Sequence, residues 1–416
     1  MPDLLNPDDA VSRILEQIPV LSAEQIPLID ALDRVIAIKI VSDIDLPPFA
    51  NSSMDGFAVR AVDTSDASEA APVSLAVTMD IPAGASPVQR LEPGQAARVM
   101  TGAPLPEGAD AVVPVEATDQ NFRAGDAAPL PTHVSVFSSV GVGASVRPIG
   151  EDIQRGQTIL EPGTLLRPPE IGVLAALGYG QPTVVRRPRV TIVSTGNELI
   201  DVDQPLAPGK IRESNSYTLS ALVRHYGGEA IRIPVARDTI EDVRKCFLEA
   251  LEANPDVVIS SAGVSVGAFD VVRTVLDELG EIGFWRVNLR PGKPLAYGSL
   301  GPDRVPFFGL PGNPISAMVT FDVFVRPALM KMSGRPDSLP TVRAVVDESI
   351  PADGRRTYFR VKLNLEADGW HARLTGTQSS GALMSMVLAD GLLIVPEGVH
   401  SVPAGTPLSV RLLRDL

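Results

Sequence analysis

The hydrophobic positions along the chain change period several times, and each change predicts a different kind of element. Near the N-terminus Val11, Ile14 and Leu15 fall at helical spacing, with Asp8 or Asp9 placed to cap; residues 1–42 read as this helix with an amphipathic continuation. From Asp43 to Arg147 the chain is rich in proline and glycine. Its short alternating runs (VSLAVTMDI, AARVMTGA, DAVVPVEA, HVSVFSSV) predict strands joined by turns. A helical stretch returns near Pro169 to Gly178. That return predicts a β-rich domain, 43–147, inserted into a small helical or mixed domain made of 1–42 and 148–182. A linear order is the alternative.

From 183 to 332 strand and helix patterns alternate. VTIVS, AIRIPV, DVVIS, FWRVNL and VPFFGL read as strands; SYTLSALVRHYGG, TIEDVRKCFLEAL, DVVRTVLDEL and PISAMVTFDVFVRPAL read as helices. Leu219, Leu222, Val223 and Tyr226 share one face of the first helix, and Gly227 and Gly228 supply its stop. Such alternation predicts a central doubly wound, mostly parallel α/β domain. From 333 to 416 only short alternating segments remain (TVRAVVDESI, YFRVKLNLEA, LLIVPEG, PLSVRLL), which predict a C-terminal β-sandwich or barrel. The expected fold class is therefore multi-domain α/β.

Composition narrows the setting. With 44% apolar and 21% charged residues the chain is of ordinary globular type, and its 416 residues suffice for several domains. No apolar run approaches the roughly 20 residues that cross a bilayer. The start, MPDLLNPDDA, has neither the basic opening nor the apolar stretch of a signal peptide. The single cysteine, Cys246, excludes an intramolecular disulfide framework. Together these features predict a cytoplasmic protein. A formal net charge of −14 argues against a general nucleic-acid or anionic-membrane surface. An anionic ligand would have to be held by local features against that field.

The candidate chemistry sits where strands end, because ligands in open α/β sheets bind beyond the C-terminal ends of strands. Gly196 and Glu198 follow VTIVS, and Asp238 follows AIRIPV. Gly263, Ser265, Gly267 and Asp270 follow DVVIS; Gly312, Asn313 and Ser316 follow VPFFGL. Lys293, one of only six lysines, lies in RPGKP before the strand that contains Leu295. Small residues let the backbone approach a ligand, and turns opening onto helices make anion sites. Carboxylates beside such a site imply a bridging cation, most simply Mg²⁺. Each feature has a plainer reading: a tight turn at the glycines, a helix-start carboxylate at Glu198, an N-cap at Asp270, turn chemistry at Asn313. Their recurrence at four strand ends favours a phosphate-bearing ligand.

Other chemistries lack support. His133, His225, His371 and His400 are isolated, without metal-ligand spacing, and read as structural or exposed. Cys246 falls inside a helix with no CxxC partner and reads as core. Tyr217 and Tyr226 read as packing residues. There is no Walker-A sequence, GVGASV at 141–146 is not a dinucleotide fingerprint, and no G-x-S-x-G elbow occurs.

Seven motifs carry a resemblance: PPFANSSMDGFAVR (47–60), RVMTGAPLPEGADAVVPVE (98–116), GEDI (150–153), STGNEL (194–199), SSAGVSVGAFD (260–270), RPGKP (290–294) and LPGNPISA (310–317). In this order they resemble the motifs of the MoeA family of molybdopterin molybdenumtransferases, to which the C-terminal part of gephyrin is also similar. The tail resembles the family's fourth domain. The resemblance implies insertion of molybdate into adenylylated molybdopterin with Mg²⁺, releasing AMP and molybdenum cofactor. It implies an elongated homodimer, with a site between one subunit's α/β domain and the partner's inserted domain. It also implies possible exchange with the adenylyltransferase that makes the substrate and with proteins that accept the cofactor. By motif position, Asp55, Thr101, Asp152, Glu198, Asp238 and Asp270 become the catalytic candidates, with Glu198, Asp238 and Asp270 as metal ligands. Arg147, Gly196, Ser265, Gly267, Arg286, Arg290, Lys293, Gly312, Asn313 and Ser380 become the substrate-binding candidates.

The chain departs from the pattern in places. Arg286 and Arg290 stand where lysine is common, which keeps charge but changes geometry. Ala262 stands for a glycine, Ser53 for an alanine, and Ser379 and Asp390 for a frequent Gly and Asn. A non-catalytic carrier or scaffold that binds molybdopterin is the alternative reading; a different Mg²⁺-dependent phosphotransferase, lacking a nucleotide loop, is the third.

Overall fold

A computed structural model describes residues 4–122, 129–261 and 269–414, with only the backbone described at 269 and 270. The chain divides into two compact units: Met1–Ala37 with Gly163–Ile171 and Gln181–Leu416, and Ile38–Pro162 with Gly172–Gly180.

In the first unit the N-terminal helix is Pro7–Glu16. Its cap is Asn6, whose side chain accepts from the Asp8 N–H, with Pro7 at the first turn where a missing N–H costs nothing. Asp8 and Asp9 therefore lie inside the helix rather than capping it. The expected amphipathic continuation to residue 42 is absent. Pro19 and Pro27 break the helical ladder, Ala23–Gln25 pairs antiparallel with Thr183–Val185, and Leu28–Asp30 is a single 3-10 turn.

The central sheet of this unit has six strands in the order Glu229–Arg232, Arg189–Ser194, Val257–Ser261, Val305–Leu310, Pro294–Leu300, Gly280–Arg286. The first four are mutually parallel, and Pro294–Leu300 runs antiparallel to both of its neighbours. Alternate residues of the apolar runs face opposite layers. Val190, Ile192, Val257 and Ile259 pack with Leu219 and Val223 of the helix Asn215–His225. Val193 and Val258 pack with Phe247 and Val275 of the helices Ile240–Glu252 and Phe269–Leu279. Burial on both faces explains why these strands read as continuous apolar runs.

The long helix read from PISAMVTFDVFVRPAL is three segments: α-helix Pro314–Thr320, a π-helical turn Phe321–Val325, and α-helix Arg326–Met332. Pro327 cannot donate a ladder hydrogen bond, and its ring would crowd the preceding turn; the widened turn accommodates it.

The C-terminal strands close on themselves. Arg356–Glu366 pairs with Gly369–Leu374 through its second half and with Gly391–Val395 through its first; Thr341–Val346 and Pro407–Leu412 complete the ring. The domain is a five-stranded barrel, not a sandwich, because one long strand serves two neighbours. Leu289–Arg290 adds to it as a parallel edge, Arg290 opposite Thr357.

The second unit is built on a five-stranded sheet ordered Ala111–Pro114, Gly56–Val59, Gln95–Val99, Val73–Ile81, His133–Val136. Phe57, Leu75 and Val113 lie in its core. Among the described residues no helix is long and apolar enough to cross a membrane.

Candidate functional site

Three parallel strands of the central sheet end level: Ser194 is opposite Ser261, and Ser261 is opposite Leu310. The loops beyond them enclose a cavity of about 450 Å³ lined by Thr195, Glu198, Asn215, Ser261, Gly312 and Asn313, with Gly292 and Ser316 at its edge. Four expected residues, Glu198, Gly312, Asn313 and Ser316, thus meet in one place. Asn313 occupies the N-cap position of Pro314–Thr320 but its side chain does not cap. Glu198 is in a turn before the short strand Leu199–Ile200, so the helix-start reading of it fails. Its carboxylate lies over Gly196, where a Cβ would come within 2.8 Å of it.

Asp238 is fastened to the same turn. Its Oδ2 accepts from the Asn197 N–H at 3.0 Å, and its own N–H donates to Asn197 Oδ1 at 3.2 Å. Its Oδ1 is buried with no hydrogen-bond partner among the described residues, as is the hydroxyl of Thr195. A buried carboxylate oxygen left without a donor is costly. A hard cation with oxygen ligands would satisfy it, and Glu198 and Asp238 fit that role. Asp270 lies within the helix Phe269–Leu279, not at its N-cap, and its side chain is outside the described residues, as are Ser265 and Gly267.

A second cavity, about 390 Å³, adjoins the first; Gly292 and Ser316 line both. Its walls include Arg290 and Lys293 from the α/β domain and Arg355, Arg360, Gln378 and Ser380 from the barrel, with no carboxylate among its lining residues. The loop bearing Ser380 is tied down by its carbonyl, which accepts from the Ile315 N–H at 3.0 Å. Arg360 is 1% exposed. It donates to Ser385 Oγ and to the Ser379 carbonyl, both at 3.2 Å, and to no carboxylate among the described residues. Burial, then repulsion from Arg290, pushes its guanidinium down to about 10. A buried arginine facing other cations without a counter-ion is arranged for an anion. Arg286, at the end of Gly280–Arg286, is exposed and lines neither cavity.

In the second unit, Asp55 and Thr101 meet: Asp55 Oδ1 accepts from the Thr101 N–H and hydroxyl. Arg147 is on the short strand Val146–Arg147, opposite Asn51. Asp152 is exposed, its N–H donating to the Leu46 carbonyl at 3.0 Å.

The sequence profile of the MoeA N-terminal region, domains I and II, matches residues 5–178; that of a probable molybdopterin binding domain matches 191–331; that of the MoeA C-terminal region, domain IV, matches 343–413. This chain belongs to the MoeA family. Molybdopterin molybdenumtransferase 2 of Mycobacterium tuberculosis is 39% identical over 393 residues, 92% of this chain and 94% of that protein. The molybdopterin molybdenumtransferase of a Nostoc species is 38% identical over 413 residues, 97% of this chain and 92% of that protein. The solved structure of a molybdopterin biosynthesis MoeA protein from Pyrococcus horikoshii superposes with a TM-score of 0.83 at 33% identity and covers 100% of both chains.

For this MoeA chain, sequence reasoning missed Thr195, Asn215, Arg355 and Arg360. Asn215 donates from Nδ2 to Ser261 Oγ and to the Gly312 carbonyl, both at 2.7 Å, and so ties two walls of the first cavity together. Arg360 alternates with Phe359 and Val361, which fill the barrel core. It therefore reads as an outward, solvated position; in the fold the segment bearing Gln378, Ser379 and Ser385 covers it. The packing readings hold at Cys246, a buried thiol pushed up to about 12 by desolvation, and at Tyr226, which packs against the core and stacks on Phe321; Tyr217 is instead exposed, its ring 3.5 Å beneath the Arg232 guanidinium. His371 differs from expectation. Its Nδ1 is 2.8 Å from Asp347 and its Nε2 is 3.0 Å from Asp368, and Glu366, Asp368 and His371 converge within 4.8 Å. The hairpin turn brings together groups whose spacing in sequence gives no metal signature.

Proposed function

We propose that this chain is a molybdopterin molybdenumtransferase acting in molybdenum cofactor biosynthesis: it inserts molybdate into adenylylated molybdopterin and releases AMP and the finished cofactor. The chemistry demands two different environments side by side. One must hold a pyrophosphate whose P–O bond is cleaved; the other must hold a second oxyanion close to the dithiolene sulfurs. The adjoining cavities, joined at Gly292 and Ser316, match that demand.

The observation that carries the reading is Arg360, a buried cation without a carboxylate partner, in a cavity shared with Arg290 and Lys293. Their charges offset the repulsion between molybdate and the substrate's phosphates. Ser380 and Ser316 add hydroxyls at the same walls. In the first cavity Thr195, Ser261 and Asn313 offer polar contacts to the substrate, while the glycine at 312 lets the backbone approach; at Gly196 the absent side chain makes room for the Glu198 carboxylate. Glu198 and Asp238, joined in the proposal by Asp270, would hold Mg²⁺. Bound there, Mg²⁺ would supply charge neutralisation along the bond being cleaved. The reacting sulfurs belong to the substrate, so a protein thiolate is not required, consistent with a buried, neutral Cys246. Asp55, Thr101, Arg147 and Asp152 complete the proposed site residues, and a cytoplasmic homodimer completes the setting.

The test is incubation with adenylylated molybdopterin, molybdate and Mg²⁺, followed by assay of AMP and cofactor. Turnover by the wild type, lost on Arg360→Gln, is the expected result. Binding of adenylylated molybdopterin without AMP release would make the protein a carrier instead.

A further inference from the structure

The second cavity has a counter-charge placed just outside its lining. Asp353 sits in the turn before Arg356–Glu366 and touches two of the four cations that line the cavity. Its Oδ2 accepts from Arg290 Nη1 at 3.2 Å. Its two oxygens also accept from Arg355 Nε at 3.2 and 3.1 Å, Oδ2 accepts from Arg355 Nη2, and Oδ1 accepts from the Arg355 N–H at 3.2 Å. These contacts, led by the Arg355 hydrogen bonds, hold the Asp353 carboxyl below its ordinary range, so it stays charged. Arg290 is the exposed member of the cation set, its side chain 44% accessible, and Asp353 is the one carboxylate it pairs with among the described ion pairs.

We propose that Asp353 is an affinity-setting residue for oxyanions at this site: it occupies Arg290 and Arg355 as a built-in competitor and sets how tightly the cavity takes an anion. The inference rests on the oxyanion reading of that cavity. Arg360 cannot be silenced in this way, since it is buried and meets no carboxylate among the described residues. The cavity therefore contains two cations, Arg360 and Lys293, with no carboxylate partner among the described ion pairs, and two, Arg290 and Arg355, that an intramolecular carboxylate shares. An incoming tetrahedral dianion must displace or outbid Asp353 for Arg290. Weakly held monoanions would gain less from doing so, and the resting cavity avoids the self-repulsion of four uncompensated cations. Asp353 is held largely through Arg355, whose Nη1 also donates to the Leu289 carbonyl at 3.4 Å, so the carboxylate stays in place when Arg290 swings to the anion.

The experiment is calorimetric titration of the full chain with sodium molybdate, and separately with sodium sulfate, at low ionic strength. The proteins compared are the wild type, Asp353→Asn, Arg290→Gln and Arg360→Gln. Asparagine keeps an acceptor for the Arg355 N–H and removes the charge. The expected result is molybdate binding about five-fold tighter in Asp353→Asn, the size of one partly solvated charge contact, with an equal gain for sulfate. Arg290→Gln should weaken binding and abolish the gain when combined with Asp353→Asn. Mere structural damage would weaken binding, so the sign of the change separates the two causes. If Asp353→Asn binds molybdate equally or more weakly while Arg360→Gln loses it, the cavity reading stands and the role of Asp353 falls. If Arg360→Gln binds as the wild type does, both fall.

Discussion

Thr101 gives two hydrogen bonds to one oxygen of Asp55: its N–H at 2.7 Å and its hydroxyl at 2.9 Å. The pair fixes the orientation of a carboxylate that the family motifs place among the catalytic candidates. Thr101→Val keeps the shape and the N–H but removes the hydroxyl donor. AMP release should fall by about ten-fold, in line with the loss of one positioning hydrogen bond to a charged group. Thermal unfolding should barely move. An unchanged rate would assign the hydroxyl a purely local role.

Asp238 should matter through its partnerless oxygen. Asp238→Asn retains the hydrogen bond from Asn197 but loses the ligand charge. AMP release should drop on the order of 10²-fold, the scale seen when a key electrostatic group is removed from an active site. The Mg²⁺ concentration needed for half-maximal rate should rise. Glu198→Ala and Asp270→Ala should fold and likewise lose AMP release. A variant set with wild-type Mg²⁺ dependence would show that these carboxylates do not hold the metal.

Arg360 is predicted to be a residue that costs stability. Replacing a buried, uncompensated cation with a long apolar side chain removes a desolvation penalty, so Arg360→Met should raise stability by about 1–2 kcal/mol. Activity should be lost. Denaturant unfolding beside an AMP assay checks both; a destabilised Arg360→Met would mean that its bonds to Ser379 and Ser385 outweigh the burial of charge.

Gly292, shared by both cavities, has φ +107, and a Cβ there would lie 2.3 Å from Thr320 Cγ2. Gly292→Ala should destabilise by about 2–4 kcal/mol, combining backbone strain with overpacking against a buried neighbour. Gly292→Ala together with Thr320→Ser removes the clashing methyl and should recover part of that loss. Chemical denaturation of the single and double variants measures it.

His371 supplies the pH-dependent prediction. Hydrogen bonds from its ring to Asp347 and Asp368 raise its pKa above the usual 6.5. A folded-state pKa above the unfolded one means the stabilisation is full below about pH 6.5 and is lost as pH rises through the higher folded value. A ¹H–¹⁵N titration should place the His371 midpoint above 6.5, and Asp347→Asn should lower it. A midpoint at or below 6.5 in the wild type would contradict the arrangement.

Much of the architecture was legible because burial on two faces leaves a periodic trace. The runs VTIV and VVI announced a covered parallel sheet, and VSLAVTMDI announced a strand with the bounds Val73–Ile81. The N-terminal helix was legible but not its end. Residues 17–42 contain apolar spacing that proline and pairing with Thr183–Val185 override. The tail strands were legible, but closure was not, since a barrel and a sandwich share the same alternation. Strand-end residues such as Glu198, Gly312 and Asn313 were found because topology dictates where ligands bind in α/β sheets.

By itself, then, the sequence determined the order of elements, the strand ends that carry small and acidic residues, and the motif series of the family. Those features depend on neighbours along the chain. The tertiary structure alone decided that Arg360 is buried without a counter-ion and that Asp353 reaches Arg290 across 63 positions. It also decided that Asp238 keeps an unpaired oxygen. Each of these depends on which surfaces exclude water when separate elements meet, and desolvation of a charge has no signature in linear spacing.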